Sequence, residues 1–168
     1  MDFDAFNYTL HSWIEEVERS NFARLCAKPS PAGWSLGQVS MHLIEATTFY
    51  LEQAEICLSS DNNGFEQMSP EAEVMFSNNA FPDELIEGPP SNADTQQPQS
   101  KEALINDLLA LKEKVNRVAT LISVSDSNGK TKHPGLKYFN AVQWFQFAEM
   151  HFRHHLKQKE RIEALLNK

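Results

Sequence analysis

Residues 140–166 have the sequence NAVQWFQFAEMHFRHHLKQKERIEALL, and this stretch is the most informative part of the chain. Its apolar residues recur with the three- and four-residue spacing of a helix that buries one face. The spacing predicts a helix from about Ala141 to Leu166 whose inner face contains Trp144, Ala148, His151, His155, Ile162 and Leu166. Histidine therefore occupies the middle turns, where a bundle helix ordinarily carries aliphatic residues.

Three further stretches show the same spacing. They predict helices from Phe3 to about Leu25, from about Ser35 to Leu58 and from about Lys101 to Ile122. The last of these repeats its aliphatic residues in a regular rhythm that is typical of a bundle seam. We therefore expect residues 1–168 to form one all-α domain, a four-helix bundle.

A long connection, Ser59 to Ser100, separates the second helix from the third. The sequence Ser69-Pro70 predicts a short helix over about Pro70–Ser77, because proline favours the first helical position. The remainder is polar and rich in proline, and connections of this length are usually functional or disordered. The connection is long enough to return the chain to its starting end, so that the second and third helices could run parallel.

Two of the predicted helices begin with the same capping sequence. Ser35 and Gln38 have the spacing of a capping box, and Asn140 and Gln143 repeat it. These boxes fix the starts of the two helices that carry the histidines of interest.

His151 and His155 are four residues apart and share a helix face, while His42 lies on the inner face of the second helix or at its edge. Three imidazoles can hold a metal ion and leave positions open for water or substrate, in contrast to a closed four-ligand zinc site. The alternative is that these histidines are ordinary core residues whose ring nitrogens form hydrogen bonds within the protein. Burying a polar group without a partner costs about 1–3 kcal/mol. Buried histidines on one helix face therefore indicate a common partner, and a divalent metal ion is one.

Other polar residues give weaker indications. His154 is expected to point away from the site, and His133, before a proline in a loop, could close over a pocket but is interpreted as a solvated loop residue. Glu45 and Glu149 are candidates for a general base or for partners of the ligand histidines. On amphipathic helices we expect both glutamates to face water.

The composition argues against several classes of partner. The net charge of −8 disfavours nucleic acid and anionic membrane surfaces, whose recognition depends on clustered Lys and Arg. No segment approaches the roughly 20 apolar residues of a membrane span. The first residues do not resemble a secretion signal, and Cys26 and Cys57 are interpreted as reduced thiols of a cytoplasmic protein.

Several segments resemble a known family. Residues 33–43, GWSLGQVSMHL, are similar to the W-S-x-x-x-x-x-x-H-L segment of the DinB/YfiT-like superfamily. Residues 140–144 and 151–158 resemble its last helix with the H-x-x-x-H pair, and residues 133–136, HPGL, resemble the H-P loop of an uncharacterised branch. Residues 59–100 match no motif of the family, so its substrates do not carry over to this chain.

The resemblance implies a four-helix bundle of up-down-down-up connection, commonly dimeric, with one divalent zinc or nickel ion. Carried over residue by residue, the metal ligands would be His42, His151 and His155. The activities it implies are those of a metal-dependent hydrolase, or of a transferase or isomerase that uses a low-molecular-weight thiol. A small-molecule substrate would follow in either case.

Two hypotheses from different classes follow for the function. The leading one is a cytoplasmic metal-dependent enzyme, a hydrolase or a thiol S-transferase, with no catalytic residue assigned beyond the metal site. The alternative is a non-catalytic dimeric bundle that is metal-free or binds metal without turnover.

Overall fold

Six helices and one hairpin make up the computed structural model, which describes residues 3–82 and 94–167. The elements follow in the order α1 (Phe3–Arg19), α2 (Phe22–Cys26), α3 (Leu36–Leu58), α4 (Pro70–Asn78), α5 (Lys101–Val124), β1 (Lys130–His133), β2 (Lys137–Asn140) and α6 (Ala141–Leu166). The four long helices α1, α3, α5 and α6 pack as a bundle, which confirms the predicted fold class. Among the described residues, no helix is both long and apolar enough to cross a membrane.

Helices α3 and α5 run parallel. Lys114 lies 3.1 Å from Glu52, and Arg117 lies 2.5 Å from Glu55, so that the contact advances along both helices in the same direction. A parallel pair of consecutive long helices requires a connection that spans the length of the bundle. The residues between them provide it, as the sequence predicts; residues 83–93 of that connection lie outside the described part of the chain.

Helix α6 runs antiparallel to α3. His42 near the start of α3 contacts His151, whereas Tyr50, two turns later, contacts Trp144. The residue numbers in contact therefore decrease along α6 as they increase along α3, which is the pattern of an antiparallel pair.

Helix α1 runs antiparallel to α5. Asn7 near its start donates a hydrogen bond to Asn116, whereas Glu18 near its end accepts one from Lys101. Together the pairings give an up-down-down-up bundle, in which α1 and α6 point one way and α3 and α5 the other. The connection order implied by the family resemblance is thus confirmed.

The caps of α3 and α6 fix where the two helices begin. Ser35 accepts a hydrogen bond from the Gln38 backbone at 3.1 Å, and the Gln38 side chain accepts one from the Ser35 backbone at 3.1 Å. Asn140 and Gln143 form the same reciprocal pair at 2.9 and 2.8 Å. Both predicted capping boxes are confirmed, and each is worth on the order of 1 kcal/mol.

The prediction of one helix from Phe3 to Leu25 is wrong, because helix α1 ends at Arg19 and a second helix begins at Phe22. Asn21 adopts an extended conformation and its side chain accepts a hydrogen bond from the backbone of Arg24 at 2.8 Å. Asparagine competes well for this capping position, so a new short helix, α2, starts there. The apolar spacing continues across the break, which is why periodicity alone did not reveal it.

An antiparallel hairpin, β1 and β2, occupies the connection between α5 and α6. It pairs Lys130 with Asn140 and His133 with Lys137. Gly129, just before β1, passes so close to the chain after α3 that a Cβ atom there would lie 2.1 Å from the backbone oxygen of Ser60. The hairpin is therefore seated directly on the end of α3.

We predict that Gly129→Ala destabilises the protein by about 1–3 kcal/mol, the cost typical of inserting a carbon into a filled space. Gly135→Ala is the matched control, since nothing lies within 4 Å of a Cβ at that position. Urea unfolding followed by circular dichroism measures both. Equal stability of the two variants would show that the hairpin is not seated as described.

Candidate metal centre

Three histidines converge where α3 and α6 cross. His42 lies about two turns into α3, and His151 and His155 lie one turn apart on the face of α6 that packs against it. The antiparallel pairing of the two helices places their middle turns opposite each other. The structure thus brings together the three histidines that the sequence singled out.

The facing ring nitrogens are close. Nε2 of His151 lies 3.2 Å from Nε2 of His42 and 3.1 Å from Nε2 of His155. The ligand atoms that the three residues offer all lie within 4.8 Å of one another. His151 is the central member of the cluster.

Burial keeps the three imidazoles neutral. His151 is buried and the other two are half-buried. Removal from water lowers the pKa of His42, lowers the pKa of His155 to about 4, and holds the pKa of His151 well below its usual range of about 6.5. A neutral imidazole is the form that binds a metal, so the cluster is ready to act as a ligand set at pH 7.

The second ring nitrogens of His151 and His155 differ in their surroundings. Nδ1 of His155 lies 2.6 Å from the side-chain oxygen of Gln158. Nδ1 of His151 is buried and has no hydrogen-bond partner among the described residues. Among the described residues, the His151 ring therefore makes its polar contacts through Nε2, which faces the other two rings.

Aromatic rings surround the cluster. Trp34 packs on His42 with ring centroids 5.3 Å apart, Tyr50 meets His151 edge-on at 5.6 Å, and Phe81 lies 5.8 Å from His151. These rings exclude water from part of the cluster and strengthen the electrostatic interactions within it.

The residues fit a divalent metal ion. Nitrogens about 2.0–2.1 Å from one ion are roughly 2.8–3.0 Å apart as neighbours in an octahedral arrangement and roughly 3.3–3.4 Å apart in a tetrahedral one. The distances from Nε2 of His151 to the other two Nε2 atoms, 3.2 and 3.1 Å, lie between these values. Imidazole ligands suit zinc, nickel, iron and copper.

The interpretation of His133 as a solvated loop residue is wrong. It ends β1, and its ring packs among Phe139, Trp144 and Phe147 with centroids 5.0–5.4 Å apart. Its Nδ1 accepts hydrogen bonds from the backbone of Gly135 and Leu136. The hairpin turn folds the ring inwards, and burial lowers the pKa of His133 to about 4.

The two glutamates have different environments. Glu45 is exposed, as expected. Glu149 is only 8% exposed, so the expectation that it faces water is wrong. Arg153, one turn later, donates to both of its carboxylate oxygens, at 2.6 and 2.7 Å, which compensates the burial of the charge. Neither carboxylate joins the histidine cluster of the described residues.

His154 is not part of the cluster, in agreement with its predicted direction. Its ring lies 5.4 Å from Phe81 and 5.4 Å from His155. Two neighbours of the cluster were missed by the sequence reasoning. Gln158 could have been found, since it is three residues after His155 and shares its helix face. Phe81 follows α4 in an irregular segment and carries no periodic signal.

Comparison with known proteins agrees with the fold. A family model of the DinB superfamily matches residues 5–158, nearly the whole chain. The chain belongs to the DinB superfamily. No curated protein matches it.

Two solved structures resemble this DinB superfamily member. TT2238, described as a four-helix bundle protein, has a TM-score of 0.58 at 13% identity, over 95% of this chain and 99% of that one. YfiT from Bacillus subtilis, described as a probable metal-dependent hydrolase with an unusual four-helix bundle topology, has a TM-score of 0.57 at 15% identity, over 96% of this chain and 85% of that one. At these identities the similarity shows the fold alone.

We predict that the metal-free protein loses stability as the pH falls from 6.5 towards 4. The unfolded chain protonates its histidines near pH 6.5, whereas the folded chain keeps His133 and His155 neutral down to about pH 4. The unfolded state therefore binds more protons in this window, and the free energy of unfolding decreases with decreasing pH. Urea unfolding in the presence of a chelator, at steps between pH 7 and pH 4.5, measures the slope.

His133→Asn provides the control for that slope. Asparagine can still accept a hydrogen bond in the turn but does not titrate, so the variant should lose less stability than the wild type over the same pH range. The carboxylates titrate equally in both proteins and cancel in the difference. An identical slope in the two proteins would contradict the contribution of His133.

Proposed function

We propose that this protein is a metal-dependent enzyme in which His42, His151 and His155 hold one divalent ion, and that its reaction is the hydrolysis of a small molecule. The observation that carries the proposal is the approach of three neutral imidazole nitrogens, with Nε2 separations of 3.1 and 3.2 Å to the central His151. The description of YfiT as a probable metal-dependent hydrolase supports the reaction type.

The ligand set supports chemistry rather than a structural role. Three protein ligands leave coordination positions open, as in catalytic zinc sites. A divalent ion in such a site would supply Lewis acidity and would lower the pKa of a coordinated water to about 7. Zinc or nickel is the ion we propose.

The protein residues contribute orientation and charge. All three ligands are neutral, so the chain does not offset the positive charge of the ion, which remains available to polarise a substrate. Glu149 is held by Arg153, and Glu45 is exposed. Neither is therefore proposed as the general base.

A second candidate reaction is thiol S-transfer. Neutral ligands favour an anionic fourth ligand, and a metal deprotonates a coordinating thiol. A low-molecular-weight thiol would then be a co-substrate of the same site. The discriminating feature is whether turnover requires an added thiol.

Two further predictions concern the oligomeric state and the cellular location of the protein. The homodimer and the cytoplasmic location stay predictions. Both Cys26 and Cys57 are free, which is compatible with a reducing compartment.

We predict that the purified protein binds about one zinc or nickel ion per chain, and that His42→Ala and His151→Ala each abolish this binding because two imidazoles are too few for a tight site. Elemental analysis after dialysis measures the content. His11→Ala is the matched control, since His11 is exposed on α1 and outside the cluster. The control should retain the metal.

We expect enzymatic activity to be lost in the variants that lose the metal and to be kept in the control. Turnover of ester, amide or thiol-dependent substrates should disappear with a chelator and return when the ion is restored. Wild-type protein that stays metal-free when offered zinc and nickel, or turnover that survives chelation, would contradict the proposal and favour the non-catalytic bundle.

A further inference from the structure

We propose that Gln158 is a positioning residue of the histidine cluster: its side-chain oxygen fixes the tautomer of His155 and thereby aims Nε2 of that ring at the shared metal position. The inference rests on the proposed function for its role, but the tautomer exists in the metal-free protein and can be tested there.

The geometry defines the direction of the hydrogen bond. The Gln158 oxygen lies 2.6 Å from Nδ1 of His155, and an amide oxygen can only accept. Nδ1 therefore donates. A neutral imidazole carries one ring proton, so Nε2 is left with a free lone pair. That nitrogen lies 3.1 Å from Nε2 of His151, on the side where the three rings meet.

The two residues are suited to hold this arrangement. They are three residues apart on α6, so their side chains lie on one face of the helix. Both are half-buried, which limits competition from water for the bond. His151, by contrast, has no partner for Nδ1 among the described residues.

An amide differs from the carboxylate that commonly accepts this hydrogen bond. A carboxylate partner raises the basicity of the ligand imidazole and transfers negative charge towards the metal. Gln158 fixes the ring without that charge. The inference is that the chain orients His155 while leaving the ion as electrophilic as three imidazoles allow.

The test compares Gln158→Ala with Gln158→Glu. In the metal-free wild type at pH 7, the ring nitrogen shifts from long-range proton–nitrogen spectra should report a protonated Nδ1 on His155. Gln158→Ala should shift the ring towards a mixture of tautomers and weaken zinc binding by about 10–100-fold, the range found for partners of metal ligands. Gln158→Glu should restore the Nδ1-protonated tautomer and bind zinc at least as tightly as the wild type.

Gln146→Ala is the matched control. It removes the same side chain from the same helix, where the amide of Gln146 donates to Asn79 rather than to a cluster histidine. This variant should keep the wild-type tautomer and the wild-type zinc affinity. Equal loss of affinity in both alanine variants would assign the effect to helix stability and overturn the proposal.

The inference and the proposed function fail separately. If the wild type binds no metal, the proposed function fails, and the tautomer comparison alone decides whether Gln158 positions the ring. If Gln158→Ala leaves the tautomer of His155 unchanged, the inference is overturned whatever the metal content.

Discussion

The antiparallel packing of α3 against α6 is the contact on which the candidate site depends. It buries His151 and brings His42 and His155 to its Nε2 atom, at 3.2 and 3.1 Å. Three polar rings in one seam between two helices would be costly without a partner, because each nitrogen gives up hydrogen bonds to water. A divalent ion, as proposed, would give the three inward-facing nitrogens one common partner.

Helix α6 carries neutral imidazoles on one side and a charged pair on another. On one side the imidazoles are kept neutral by burial, and aromatic rings border them. On the other, Glu149 and Arg153 form a closely bonded ion pair that extends to the backbone of Asn79 at 2.8 Å. Both oxygens of the Glu149 carboxylate accept from Arg153, at 2.6 and 2.7 Å. An ion held by the histidines would keep its charge for an external ligand.

The long connection that permits the up-down-down-up order also frames the site. At one described end, Phe81 packs on His151. At the other, the backbone of Thr95 accepts a hydrogen bond from Gln38 at 2.7 Å, one turn before His42. The segment that lets α3 and α5 run parallel is therefore anchored on both ligand helices.

The sequence by itself determined the number of long helices, their starts and the identity of the three histidines. Those features are local: apolar spacing predicts a helix, a capping box marks its first residue, and residues four apart share a face. Only the tertiary structure decided the position of the hairpin and the burial of His133 and Glu149. Each of these depends on which surfaces meet and on the partner each polar group finds there, and periodicity along one helix contains no information about either.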